Sequence, residues 1–184
     1  PFAHQYKVDT KAADILADFE KYENQTVRLA GRLMALRGHG KAAFGHLADL
    51  SGRIQIYFRE DILGEKAYEI FQLLDIGDII GLEGKVFKTQ TGEISVKLDT
   101  FELLSNALRP LPEKWHGVKD VEIKYRQRYL DLIMHPEVQK RFQLRSKIIS
   151  SIRYILESQD YLEVETPILH PIAGGAAAKP FTTH

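Results

Sequence analysis

Residues 27–58 read VRLAGRLMALRGHGKAAFGHLADLSGRIQIYF. From Val27 the apolar residues Val27, Leu29, Leu33 and Ala35 recur on every second position, with Arg28, Ala30, Arg32 and Met34 between them. A period of two predicts a strand with one covered face. Arg37-Gly38-His39-Gly40-Lys41 then offers a glycine at either of two positions for the positive φ of a reversal, and Ala42–Leu47 runs back as a second strand. After a further turn at Asp49-Leu50-Ser51-Gly52, Ile54, Ile56 and Phe58 alternate with Arg53, Gln55, Tyr57 and Arg59. The reading is a three-strand meander that opens a small barrel, with Gln55 facing away from the isoleucines.

The face that looks outward decides the chemistry. Arg28, Arg32, Arg37, Lys41, Arg53 and Arg59 stand in or beside this stretch against the single acid Asp49, although the whole chain balances 25 Lys and Arg against 25 Asp and Glu. A cationic sheet with an exposed aromatic such as Phe44 and an amide such as Gln55 suits single-stranded nucleic acid. The cations neutralise phosphate, the ring stacks a base, and the amide reads a base edge. The competing reading is an ordinary basic strand face with Phe44 in the core.

Composition excludes several other classes. With 44% hydrophobic and 27% charged residues in 184, the chain reads as globular, and no apolar run approaches the roughly 20 residues of a membrane helix. It has no cysteine, so disulfides and thiolate metal sites are ruled out. No basic-then-apolar leader stands at the start, which sets the expectation of a cytoplasmic protein. Asn24-Gln25-Thr26 matches the glycosylation tripeptide but is read as structural in that setting. No two of the seven histidines stand four positions apart beside an acid, and no metal site is expected. Gly38-His39-Gly40-Lys41 lacks the earlier glycine of a phosphate-binding loop.

Outward from the meander, Asp9-Thr10 offers an N-cap to a short amphipathic helix carrying Ala12, Ala13, Ile15, Leu16 and Phe19. Ile62, Leu63, Ala67, Ile70, Phe71 and Leu74 predict one helix after the third strand. Ile79–Phe87 and Ile94–Leu104 predict two more strands around the turn Lys88–Gly92. Five strands with a helix between the third and fourth is the plan of an oligonucleotide-binding (OB) barrel, so residues 1–104 are expected to form one mainly β domain. Residues 105–120, with two prolines and no periodicity, read as a linker. Beyond it come a helix over Val121–Ile133, a break at His135-Pro136, a long helix over Val138–Ser158, and a strand over Tyr161–Glu165 that stops at Pro167.

Several stretches together resemble the class II lysine–tRNA ligases, along essentially the whole chain. They are Ala30-Gly31-Arg32, Gly40–Phe44, Gly52–Gln55, Thr91–Ser95, Ala107–Gly117, Tyr125–Leu132 and Gly174–Phe181. The barrel and the Arg128-Tyr129-Leu130-Asp131-Leu132 helix also occur in the related aspartate and asparagine ligases, while the 107–117 and 174–181 segments point to lysine. The resemblance implies an N-terminal anticodon-binding OB domain, then residues 121–184 as the start of an α+β catalytic domain.

By that resemblance Phe44 stacks on the central uridine of the tRNA(Lys) anticodon, Arg37 and Gln55 hold that base and its neighbours, and Glu93 meets a flanking base. Arg32 and His46 are supports. The long helix and following strand resemble motif 1, the homodimer interface, whose proline is Pro167; the family has glycine where Asp160 stands. Gly174, Gly175 and Ala176 resemble the loop that approaches the substrate lysine. ATP and Mg²⁺ are implied for the full enzyme, whose motifs 2 and 3 lie beyond His184. Residues 1–184 alone are therefore expected to bind the anticodon, to hold no cofactor and to contain no catalytic residue. A non-catalytic OB module for RNA or another partner is the alternative, and an aspartate-type ligase a lower third.

Overall fold

The computed structural model describes residues 5–112 and 120–168. The chain divides into two compact units, Pro1–Glu113 and Lys114–His184.

The first unit is a closed five-strand barrel in the order β1-β2-β3-β5-β4. Its strands are β1 (Thr26–His39), β2 (Ala42–Ala48), β3 (Arg53–Arg59), β4 (Ile79–Lys88) and β5 (Ile94–Ser105). All neighbours are antiparallel except β3 and β5, whose parallel pairing closes the barrel. Alternate residues of every strand fill the interior, including Leu29, Leu33, Leu47, Ile54, Ile56, Phe58, Ile80, Leu82, Val96 and Leu98, each at most 1% exposed. Burying the apolar half of each strand while pairing every edge is what a closed sheet accomplishes.

β1 departs from simple alternation. Its register with β2 shifts between Leu33 and Ala35, so that Leu33 pairs Leu47 but Ala35 pairs His46. This bulge exchanges inside for outside. Ala35, expected on the covered face, joins the outward row instead, and Leu36 takes the inward position and packs against the core. The loop before β4 lies over the irregularity: the Leu33 N–H donates to the Asp78 carbonyl and the Gly77 N–H to the Leu33 carbonyl, both at 2.8 Å. Asp78 is fully buried, and its carboxylate accepts from the N–H groups of Asp75 and Ala107 at 2.8 and 2.7 Å.

Four short helices belong to this unit among the described residues. α1 (Ala12–Ala17) and α2 (Phe19–Tyr22) precede the barrel. The cap at Asp9-Thr10 does not form; the N-cap position is Lys11, whose side chain makes no capping bond. The free N–H groups of Ala12 and Ala13 donate instead to the Asp49 carboxylate at 2.9 Å and the Ser51 hydroxyl at 3.0 Å, in the β2–β3 turn. Asp9 serves β1, accepting from the Arg28 N–H at 2.8 Å. The single helix expected over 62–74 is two, α3 (Glu60–Leu63) and α4 (Glu65–Gln72), divided by Gly64 at φ 81°. Only glycine takes that conformation without strain. α4 brings Tyr68 and Phe71 to the core, with the Phe71 ring 4.2 Å from that of Phe58.

The regular elements among the described residues of the second unit are all helices. The segment expected to be one helix over 121–133 is α5 (Val121–Arg126) and α6 (Arg128–Met134), and α7 spans Pro136–Glu157. Pro136 begins α7 rather than preceding it, because proline costs no hydrogen bond in the first turn. Asp120 caps α5 by accepting from the Glu122 N–H at 2.8 Å. Asp131 is 2% exposed, ion-paired with Arg128 at 2.7 Å and within hydrogen-bonding distance of His135 Nδ1 at 2.8 Å. Asp160 takes φ 63°, the left-handed conformation that glycine would supply at that position. Tyr161–Glu165 form no strand, since no ladder partner lies beside them among the described residues, and a lone strand leaves its backbone groups unpaired. Among the described residues no helix is long and apolar enough to cross a membrane.

Candidate nucleic-acid interface

Partners across a sheet point to the same side, so the register places the outward side chains in rows. One row runs Arg37, Phe44, Tyr57, Lys97, Lys85 across β1, β2, β3, β5 and β4. The neighbouring row runs Ala35, His46, Gln55, Ser95, Phe87. Arg37 reaches its row only because the bulge has reversed the parity of β1.

The first row is aromatic in the middle and cationic at its ends. Phe44 stacks on Tyr57 with ring centroids 4.4 Å apart and planes at 21°, and Phe87 lies 6.1 Å from Tyr57 on the diagonal. Phe44 keeps 39% of its surface exposed, so it is not a core residue. Tyr57, Lys97 and Lys85 were absent from the residues singled out in the sequence. Their signal was present, however, in the strict alternation with buried Ile56, Phe58, Val86, Val96 and Leu98.

The second row is a hydrogen-bonded cluster. Gln55 Nε2 donates to Glu93 Oε2 at 2.8 Å, and the buried Ser95 hydroxyl donates to Gln55 Oε1 at 2.6 Å. His46 Nε2 lies 3.5 Å from Glu93 Oε1. Glu93 sits in the β4–β5 turn, where the Thr89 hydroxyl accepts from its N–H at 2.9 Å. His46, Gln55 and Glu93 thus meet at one place. The Gln55 amide is engaged at both ends, with one further N–H and one lone pair remaining for a ligand.

The cations divide into two sets. Arg28 is ion-paired with Glu83 at 2.6 Å, Arg59 with Asp61, and Lys41 with Glu60 at 3.9 Å. The basic surplus expected of the meander is smaller by these three. Arg32 Nη1 donates to the Gly77 carbonyl at 2.6 Å, which ties it to the loop before β4 and not to the Phe44 row. Arg37 and Arg53 make no ion pair among the described residues, and they face the cluster. Partial desolvation, then the like charge of Arg37, push the Arg53 guanidinium below its ordinary value, while Glu93 acts the other way.

Pro167 is exposed and outside any regular element. Gly174, Gly175 and Ala176 lie outside the described residues. Among the described residues no group of His, Cys, Asp and Glu could hold a metal ion. They supply no donor set for the Mg²⁺ that the resemblance implies, and no step through ATP or Mg²⁺ is assigned to them.

Residues 27–104 match the family described as an OB-fold nucleic acid binding domain, and residues 120–184 match the family of class II tRNA synthetases (D, K and N). The chain is 58% identical over 184 residues to a lysine–tRNA ligase of Carboxydothermus hydrogenoformans, covering 100% of itself and 38% of that protein. It is 58% identical over 173 residues to one from Thermoanaerobacter sp., covering 94% and 35%. To that of Syntrophomonas wolfei it is 54% identical over 184 residues, covering 100% and 37%. The chain therefore spans between a third and two fifths of the length of these relatives.

Proposed function

We propose, for a chain homologous over its whole length to the N-terminal part of lysine–tRNA ligases, that residues 1–104 bind the anticodon loop of tRNA(Lys). Residues 105–120 connect this domain to the start of a class II catalytic domain at 121–184. The observation that carries the reading is the outward row Arg37–Phe44–Tyr57–Lys97 beside the Gln55–Glu93–His46 cluster. It combines an aromatic platform, cations with no ion pair among the described residues and an oriented amide on one sheet face, which is what an unstacked loop requires of its reader.

In this reading Phe44 stacks the central base. Gln55 contacts its edge, Arg37 holds phosphate, and Glu93 and His46 frame a flanking base. Activation of lysine with ATP and its transfer to the tRNA belong to the whole protein, in the cytoplasm; residues 1–104 contribute binding and not chemistry. α7 and the segment ending at Pro167 form the homodimer surface. Phe142, Leu144, Ile148, Ile152 and Ile155 stand on α7, each at least 43% exposed.

The test is a salt titration of binding to a labelled stem-loop carrying the lysine anticodon. Affinity is expected to fall linearly on logarithmic axes with a slope of a few units, and a stem-loop with a replaced anticodon is expected to bind about tenfold or more weakly. Equal binding of both loops would remove the anticodon assignment and favour a non-catalytic OB module with another partner.

A further inference from the structure

Ser95 is the register partner of Gln55 across the parallel β3–β5 pairing and is fully buried. Its hydroxyl donates to Gln55 Oε1 at 2.6 Å, while Gln55 Nε2 donates to Glu93 Oε2 at 2.8 Å. An ionised carboxylate only accepts, so the end of the amide facing Glu93 must be its nitrogen; the one Ser95 hydroxyl proton then meets the Gln55 oxygen at 2.6 Å, which is closer than its other acceptor, the Glu93 carbonyl at 3.3 Å. Two contacts from one short stretch, Glu93 and Ser95, therefore fix which way round the amide stands.

That orientation has a chemical consequence. A primary amide offers a donor beside an acceptor, and turned over it offers the opposite order. Uracil presents a carbonyl acceptor beside its ring N–H, whereas cytosine presents an amino donor beside a bare ring nitrogen. An amide free to turn pairs with both; an amide held in one orientation pairs with one. We propose that Ser95 is a positioning residue for base discrimination: with Glu93 it holds the Gln55 amide so that the pyrimidine beside Phe44 is accepted as uracil and rejected as cytosine. Ser95 acts through Gln55 and does not itself touch RNA, since its side chain is covered. The inference rests on the reading that Gln55 meets the anticodon.

The experiment measures affinities of the 184-residue chain for two lysine-anticodon stem-loops that differ only in U or C at the central position. Wild type, S95A, S95T, Q55A and the Q55A/S95A double variant are compared, with unfolding midpoints recorded for each. Wild type is expected to prefer the U loop. S95A is expected to lose about fivefold or more of that preference, chiefly because the C loop binds more tightly. S95T keeps the hydroxyl and the preference, and the double variant discriminates no less than Q55A alone. E93Q puts a group that both donates and accepts where one only accepts, so that it no longer dictates which end of the Gln55 amide faces it, and is expected to shift the preference in the same direction as S95A, which keeps the proposal testable if S95T folds poorly.

An unchanged preference in S95A and E93Q, where Q55A lowers it, would overturn the positioning role while leaving the anticodon reading intact. Equal weakening of both loops in S95A with a fall in its midpoint would make Ser95 structural, which also overturns it. A Q55A variant that binds both loops as wild type does would instead overturn the reading of Gln55 on which the inference stands.

Discussion

Phe44 and Tyr57, direct partners across β2 and β3, stack with ring centroids 4.4 Å apart and 21° between their planes. Tyr57 therefore backs Phe44 on one side and leaves the 39% of Phe44 that is exposed as a braced platform for a planar ligand. A base stacked on such a ring contributes about 1–3 kcal/mol by alanine substitution. Phe44→Ala is accordingly expected to weaken stem-loop binding about tenfold or more. Loss of the ring pair costs the fold only about 0.5–1.5 kcal/mol. Chemical denaturation alongside the binding assay separates the two, and a collapse of stability would place Phe44 among the core residues.

Charge contacts are expected to differ according to whether the cation already has a partner. Arg37 makes no ion pair among the described residues, whereas Arg28 is held by Glu83 at 2.6 Å. Arg37→Ala should lower the slope of log affinity against log salt by about one unit, and Arg28→Ala should leave it unchanged. A common effect of the two substitutions would show that the basic face acts through its summed charge and not through particular phosphate contacts.

Asp49 couples α1 to the barrel. Burial acts to raise its carboxyl, but the hydrogen bonds from the Ala12 N–H, the Ser51 hydroxyl and the N–H groups of Gly52 and Ser51 outweigh it and hold the group below the ordinary carboxylate value. A folded-state pKa below the unfolded one, about 3.9, stabilises the protein above that pH and ceases to do so as pH falls through the folded value. Asp49→Ala, which removes a cap supplied across the fold, is expected to cost about 1–2 kcal/mol near neutral pH. Asp49→Asn keeps an acceptor and should cost less, while flattening the acid limb of the stability profile below about pH 4. Urea titrations at several pH values measure both effects; an unchanged acid limb in the asparagine variant would mean that Asp49 is not the titrating group.

Association through α7 should depend on its apolar face. Ile148 and Ile152 are 51% and 54% exposed one turn apart, and neighbouring apolar residues extend the patch. Sedimentation of the 184-residue chain is expected to show concentration-dependent association that Ile148→Asp and Ile152→Asp together abolish, without change in stem-loop affinity. A chain that stays monomeric at high concentration would count against the homodimer surface.

The positions of the five strands and of the apolar set that fills the barrel were legible in the sequence. Period-two alternation is local, and only a strand can bury half its residues in that way. The same alternation marked Gln55 as outward-facing and left Phe44 open between the outer face and the core, which its 39% exposure decides. The resemblance to lysine–tRNA ligases added His46 and Glu93 to these. What it could not show was that Gln55 and Glu93, 38 residues apart, share a hydrogen bond, because that contact exists only where β5 closes against β3 in parallel. Nor could alternation alone place Arg37 beside Phe44. Counting by two from Leu33 sends Arg37 inward, and the bulge that reverses it is held by Asp78 and Gly77 from a distant loop. The same limit explains the missed ion pair of Arg28 with Glu83 and the missed hydrogen bond of the Ala12 N–H with Asp49. Periodicity reports which side of a strand is covered, but the neighbour across the gap is chosen by chain closure, and only the folded barrel brings those partners within bonding distance.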